Sequence, residues 1–195
     1  MYIDKPELRE ILHEKRRKLS PLAKIRKSKR ITNNIQKNTD FLEGKSIGLY
    51  CSTIDEVDTS FLLNTCLDRN KSVFLPVIQG KTIVFGKYDP RKSSMIKNRY
   101  NIPEPSLNET EIFPIDQLDL VFVPMLGFNS SCDRIGMGGG FYDRTFEGIE
   151  SLPLRLVGLA FACQEASFFS STNDIPMSAV CTEDRIIYKN KSLFI

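Results

Sequence analysis

The sequence predicts an α/β fold, in which a buried and mainly parallel sheet is preceded by a pair of basic helices. Three observations lead there. Beyond residue 45 the chain falls into short apolar runs separated by helical stretches. Several of these runs are apolar on both faces, the pattern of a sheet covered on two sides. One strand-helix-strand unit places a strand directly after its helix, which implies parallel pairing. Before residue 39 the apolar period is helical and the charge is strongly positive.

From the N-terminus, Asp4 caps a first helix with Pro6 in its first turn and Glu7 three residues after the cap, and Leu8, Ile11, Leu12 and Leu19 follow near helical spacing. Ser20-Pro21 opens a second helix. Its Leu22, Ile25, Ile31 and Ile35 are too sparse for deep burial, so the pair should lay one narrow stripe on the body and show its cations to water. Strands are expected at 46–51 (SIGLYC), 72–78 (SVFLPVI), 82–88 (TIVFGKY), 119–125 (DLVFVPM) and 155–162 (RLVGLAFA). Asp58 or Thr59 caps the helix carrying Phe61, Leu62, Cys66 and Leu67. Residues 89–116, with Pro103, Pro105 and Pro114, read as a long irregular crossing and the most mobile region. Ligands of open α/β sheets bind beyond the carboxyl ends of the strands, so the loops after Cys51, Met125 and Ala162 are the places to look for chemistry.

With 195 residues, 41% hydrophobic and 26% charged, the chain has ordinary globular composition, and disorder is excluded as a class. A single domain over 1–195 is expected, with a helical basic head at 1–38 packed on a 39–195 body. Five cysteines without a C-x-x-C pair, and His13 as the lone histidine, leave no usual zinc site and no His-dependent hydrolase to spare. The N-terminal residues carry no apolar signal core, and no run of about 18 apolar residues occurs, so a reducing cytoplasm and no membrane partner are expected. A monomer without a nucleic-acid partner is expected as well. The head carries a balance of +8 and the body −5. Such a head is either an electrostatic footprint for nucleic acid or a helix pair facing a phosphate-bearing small molecule.

Arg134-Ile135-Gly136-Met137-Gly138-Gly139-Gly140-Phe141-Tyr142-Asp143-Arg144 is the richest motif. Four glycines in five positions let backbone N–H groups converge on a bulky anion, and a helix from Phe141 adds its N-terminal field. Arg134 and Arg144 bracket the turn as phosphoryl clamps, and Asp143 is placed to hold a divalent cation. A Rossmann fingerprint fails because Phe141 stands where its third glycine belongs. Walker A fails as well, since Thr39 and Leu75 occupy its first glycine positions ahead of Gly44-Lys45-Ser46 and Gly80-Lys81-Thr82.

Lys5-x-x-Leu8-Arg9, Glu56-Val57-Asp58-Thr59, Phe74-Leu75-Pro76-Val77, Ile102-Pro103-Glu104-Pro105, Asp119-Leu120-Val121-Phe122-Val123-Pro124 and, above all, the block from Asp133 to Arg144 together resemble the 5-formyltetrahydrofolate cyclo-ligase family, also called 5,10-methenyltetrahydrofolate synthetase. The resemblance implies a three-layer α/β/α fold with a mainly parallel sheet. It also implies ATP- and Mg²⁺-dependent conversion of 5-formyltetrahydrofolate to 5,10-methenyltetrahydrofolate, with ADP and phosphate released. By the same resemblance, ATP meets Lys5, Arg9 and the loop Arg134, Ile135, Gly136, Met137, Gly138, Gly139, Gly140, Phe141 and Tyr142. Folate meets Cys51, Glu56 and Tyr142; Mg²⁺ meets Asp143 and Asp174; and Arg134, Tyr142 and Asp143 serve the reaction itself. Two alternatives stand beside it, a nucleic-acid-binding module using the basic helices and a relative on the same scaffold acting on a phosphosugar or acyl-CoA.

Overall fold

A computed structural model of the chain describes residues 4–108, 110–149, 152–171 and 174–189. Residues 1–3 of the expected head, and Asn173 beside Asp174, lie outside them.

The N-terminal signals act as expected. Helix α1 (Lys5–Arg17) is capped by Asp4, whose carboxylate accepts from Glu7 N, and α2 (Pro21–Ile35) by Ser20, whose hydroxyl accepts from Ala23 N. Leu8 and Leu12 of α1 are buried against Leu126 and Ile135, while Ile31 and Ile35 of α2 enter the main core. Leu22 stays 74% exposed. The narrow apolar stripe is therefore real, but the cations are not simply solvated. Lys24 pairs with Asp55 (2.5 Å), Lys27 with the buried Glu183, and Arg30 with Asp184 (3.4 Å). The positive head is held in part by the negative body.

After the short α3 (Thr39–Glu43) comes an eight-stranded sheet built on β1 (Ser46–Gly48), β2 (Ser72–Gln79), β3 (Thr82–Tyr88), β6 (Ile112–Phe113), β7 (Leu120–Pro124), β10 (Arg155–Leu159), β11 (Ala179–Cys181) and β12 (Ile186–Tyr188), in the order β12-β11-β10-β7-β1-β2-β3-β6. The five strands from β11 to β2 are parallel, and antiparallel strands close both edges. Helix α4 (Ser60–Asp68) links β1 to β2. Period-two alternation sends Val73, Leu75, Leu120, Phe122, Val157 and Leu159 to the face covered by α2, α3 and α4, and Phe74, Val121, Val123 and Leu156 to the opposite face under Phe146 and Ile149. These are the three layers.

Three expectations change. The first and fifth strands end early, at Gly48 and Leu159, because the chain turns out of the sheet to form loops. Thr59 stands at the head of α4, yet its hydroxyl donates to Tyr50 O, and it is Asp58 that accepts from Ser60 N. The segment from 89 to 116 is not wholly irregular, since β4 (Met95–Lys97) pairs antiparallel with β5 (Pro103–Pro105). A two-stranded ribbon tolerates the prolines because each strand needs partners on one side only.

Candidate active site

One cavity of about 620 Å³ opens at the carboxyl ends of β1 and β7. Its walls come from α1, the loop after β1, the ends of β2 and β7, the turn between β4 and β5, and the glycine-rich segment that runs from β9 (Arg134–Ile135) into α5 (Phe141–Thr145). The strand β9 pairs with β8 (Gly127–Phe128), and that hairpin carries the glycine segment back over the sheet.

At one end of the cavity Gly138 (φ +93°) and Gly140 (φ +65°) take left-handed conformations that side chains resist, which folds the loop tightly enough to present its backbone. Helix α1 leans on this loop. Arg9 Nε donates to Gly136 O at 3.0 Å, and Lys5 Nζ reaches Asp174 Oδ2 (2.5 Å) and Ser171 Oγ (2.7 Å). Burial pushes the Asp174 carboxyl up, but donation from Lys5 and Ser171 N, with the charges of Lys5 and Arg134, outweighs this and holds it below its usual value. Across the loop, Arg134 Nη2 donates to Asp143 Oδ1 at 2.5 Å, with the arginine side chain 6% exposed and the aspartate 26%. Ile175 N also donates to that oxygen at 3.3 Å.

The other end is built on the turn after β1. Glu56 N donates to Thr53 O, and Glu56 Oε2 accepts from Thr53 N at 2.8 Å, so a closed turn fixes the carboxylate at the wall. This is a turn, not a helix cap. Cys51 and Tyr142 stand beside it. Burial, then the charge of Glu104, pushes the Cys51 thiol up to about 11; burial, then Glu56, raises the Tyr142 phenol well above its usual value. Both groups are therefore neutral at pH 7 and can donate but not attack. Tyr142 also carries Arg134 over its ring at 5.8 Å, which ties the two ends together.

Apart from Arg144, every residue expected at the site lines this cavity: Lys5, Arg9, Cys51, Glu56, the run from Arg134 to Asp143, and Asp174. The details differ in three ways. Arg144 does not point inward; its Nε and Nη2 donate to Lys81 O (2.8 Å) and Gly139 O (2.6 Å), bracing the loop from behind. The α5 helix has five residues, so the positive field at this end of the cavity comes from loop N–H groups and cations more than from a macrodipole. The loop after Ala162 does not line the cavity. Its Gln164 instead caps the carbonyls of Met125 and Leu126, fixing the exit of β7. Residues that sequence reasoning missed include Arg16, Tyr50, Tyr100 and Met125. Tyr50 and Met125 follow strand ends and were findable by topology. Tyr100, edge-on to Phe141 with ring centres 5.9 Å apart, lies in the segment read as irregular.

Comparison with known proteins bears directly on what this cavity is. The family model of 5-formyltetrahydrofolate cyclo-ligases matches residues 2–183. The chain belongs to the 5-formyltetrahydrofolate cyclo-ligase family. Among relatives in that family, the Haemophilus influenzae 5-formyltetrahydrofolate cyclo-ligase is 31% identical over 175 residues, covering 88% of this chain and 93% of its own. The Escherichia coli K12 cyclo-ligase is 28% identical over 180 residues, with 90% and 98% covered. The NMR structure of Aquifex aeolicus 5,10-methenyltetrahydrofolate synthetase superposes with a TM-score of 0.84 at 27% identity, over 98% of this chain and 95% of that one. As a member of the cyclo-ligase family the chain is an enzyme, and the cavity that gathers its family-like residues is its candidate active site. Among the described residues no helix is long and apolar enough to cross a membrane.

Proposed function

We propose that the chain, as a single domain with its basic head as one wall of the site, converts 5-formyltetrahydrofolate to 5,10-methenyltetrahydrofolate at the expense of ATP in the cytoplasm. One observation carries the reading: a single cavity joins a glycine loop flanked by Lys5, Arg9 and Arg134 to a second end holding a fixed carboxylate and two neutral donors, Glu56, Cys51 and Tyr142. The first end suits a triphosphate, and the second suits a ring with amino and N–H donors.

A formamide oxygen leaves poorly. In the proposed sequence the formyl oxygen attacks the γ-phosphorus and ADP departs; N10 then attacks the activated carbon, loses its proton to solvent, and phosphate leaves as the ring closes. No protein nucleophile is required. The protein's part is to align two anionic ligands and to neutralise charge on the transferring phosphoryl group, through Lys5, Arg9, Arg134 and the loop N–H groups. The Tyr142 hydroxyl, kept protonated, can donate to the folate.

For Mg²⁺ the donor set is Asp143 and Asp174, and no cluster of three or more His, Cys, Asp or Glu joins them among the described residues. Two carboxylates suffice for this ion, which keeps several waters and takes phosphate oxygens for the remainder. When bound it would offset charge on the phosphoryl oxygens. Both aspartates already accept from cations of the chain, Asp174 from Lys5 and Asp143 from Arg134, which would have to yield them to a bound metal.

Nucleic-acid binding by the head is disfavoured, since four of its cations, Lys5, Lys24, Lys27 and Arg30, pair with body carboxylates. The test is the absorbance rise at the methenyl-folate band on mixing the protein with 5-formyltetrahydrofolate, ATP and Mg²⁺. A folded protein that gives no rise overturns the reading, and a rise without ATP overturns its phosphoryl-transfer step.

A further inference from the structure

Helix α1 lends three cations to the cavity wall, Lys5, Arg9 and Arg16. At 100° per residue they fall on one stripe of the helix. Lys5 and Arg9 have protein partners, Lys5 at Asp174 and Ser171 and Arg9 at Gly136 O of the glycine loop. Arg16 has none. The residue is 3% exposed, its side chain makes no hydrogen bond or ion pair among the described residues, and its Nε is sealed from solvent without an acceptor.

A guanidinium cannot shed its proton, and leaving one buried and unpaired is among the costlier things a fold can do. Such a group calls for an acceptor that arrives with the ligand. Two of the ligand's anionic parts fit poorly. Arg16 lies seven residues beyond Arg9, roughly 10 Å along the helix, so it is far from the glycine loop where phosphates would sit. Its depth in the protein also does not suit the glutamate tail of a folate, which carries its charges away from the ring. What is close is the ring end. The charge of Arg16 is felt by Tyr50, which also feels Glu56 and Tyr142.

On the folate reading above, one edge of the pterin shows a 2-amino group and N3–H as donors, followed by the 4-oxo oxygen as an acceptor. Glu56 complements the donors. The geometry points to Arg16 as the complement of the acceptor: we propose that its guanidinium donates to the 4-oxo oxygen of the pterin held against Glu56, and so determines specificity for 4-oxo over 4-amino pteridines. A 4-amino group would bring N–H donors to a donor and leave the buried charge unpaired.

The test is equilibrium titration of the full chain with 5-formyltetrahydrofolate and with its 4-amino-4-deoxy counterpart, for the wild type, Arg16→Met and Arg16→Lys, together with thermal denaturation of each without ligand. The wild type should prefer the 4-oxo ligand. Arg16→Met should lose roughly 10- to 100-fold in affinity for it and little for the 4-amino ligand, so that the preference narrows by that factor; what remains belongs to Glu56, which loses its N3–H partner in the 4-amino ring. Arg16→Lys, with the charge but not the fork of donors, should fall between. Without ligand Arg16→Met should melt no lower than the wild type, because an unpaired buried charge has been removed. Equal weakening of both ligands, or a lowered melting point, would make Arg16 structural and overturn the proposal. So would unchanged 4-oxo affinity. A wild type that binds neither pteridine refutes the folate reading itself, and the inference with it.

Discussion

Replacing Asp143 by Asn should do two separable things, and the structure sets the size of the first. In the wild type Asp143 Oδ1 accepts from Arg134 Nη2 at 2.5 Å, and the arginine side chain is 6% exposed. Asn keeps the shape and one acceptor but leaves the guanidinium without a counter-charge, and Arg134 Nε already lacks a partner. Breaking a buried pair from one side costs about 3–5 kcal/mol; the aspartate is 26% exposed, which reduces that to about 2–4 kcal/mol. At about 2–4 °C per kcal/mol for a chain of this size, the melting temperature should fall by about 4–16 °C. The second effect is on turnover. At a temperature well below the variant's melting point and at limiting Mg²⁺, kcat should drop on the order of 10²-fold or more, with partial recovery at raised Mg²⁺. Removing both charges, in Arg134→Met with Asp143→Asn, should recover most of the stability and none of the activity. A single variant with wild-type melting would refute the argument from the pair. Full turnover at limiting Mg²⁺ would remove Asp143 from the metal site.

Lys5→Ala and Arg9→Ala should each raise KM for ATP far more than KM for folate, by roughly 10- to 100-fold per lost charge-assisted contact; wild-type kinetics would return both residues to a purely structural role. Glu56→Gln keeps an acceptor for Thr53 N, so it should melt like the wild type while losing folate affinity with ATP affinity intact, and the reverse pattern would mark a turn residue only. Gly127→Ala drives a Cβ into Leu12 Cδ1 in a fully buried contact. That overpacking should cost about 1–3 kcal/mol and, by displacing α1, raise KM for ATP; calorimetry and steady-state kinetics would expose either part failing. Asp174, held below its usual value, stabilises the fold fully above about pH 4, and this contribution fades as pH falls through the lowered value. Melting temperature followed from pH 6 to pH 3 should therefore fall less steeply in Asp174→Asn than in the wild type, and parallel slopes would disprove the assignment.

What the sequence made legible was local or periodic. Asp4 and Ser20 cap their helices because a cap needs only the next three residues, and the alternation of Val73, Phe74 and Leu75 marks a sheet buried on both faces because it follows from strand geometry alone. The glycine block is likewise visible in one stretch of chain. What stayed hidden depends on partners distant in sequence. Arg144 reads as a clamp until its acceptors prove to be Lys81 O and Gly139 O, and Asp143 reads as a free ligand until Arg134 is found across the loop. Arg16 sits in the run Lys15-Arg16-Arg17-Lys18, where composition gives no means of telling the one buried cation from its solvated neighbours.

The titratable groups at the cavity also limit the kind of catalysis it can perform. The Cys51 thiol and the Tyr142 phenol are both held protonated by burial and by nearby carboxylates, so neither serves as nucleophile or base near neutral pH. His13 is kept neutral by burial and by Arg16 and Arg17, but it does not line the cavity, and no second histidine exists in the chain to take its place. Asp143 and Asp174 are engaged by cations, and Glu56 is fixed by its turn. What remains is a set of fixed charges and donors: Lys5, Arg9, Arg16, Arg134 and the glycine-loop backbone. A site of this kind accelerates reactions by orientation and charge neutralisation, in which the nucleophile comes from one substrate and the leaving group from the other. The proposed reaction meets that requirement, since its attacking oxygen and N10 both belong to the folate, its leaving groups are ADP and phosphate, and it asks for no histidine in the site.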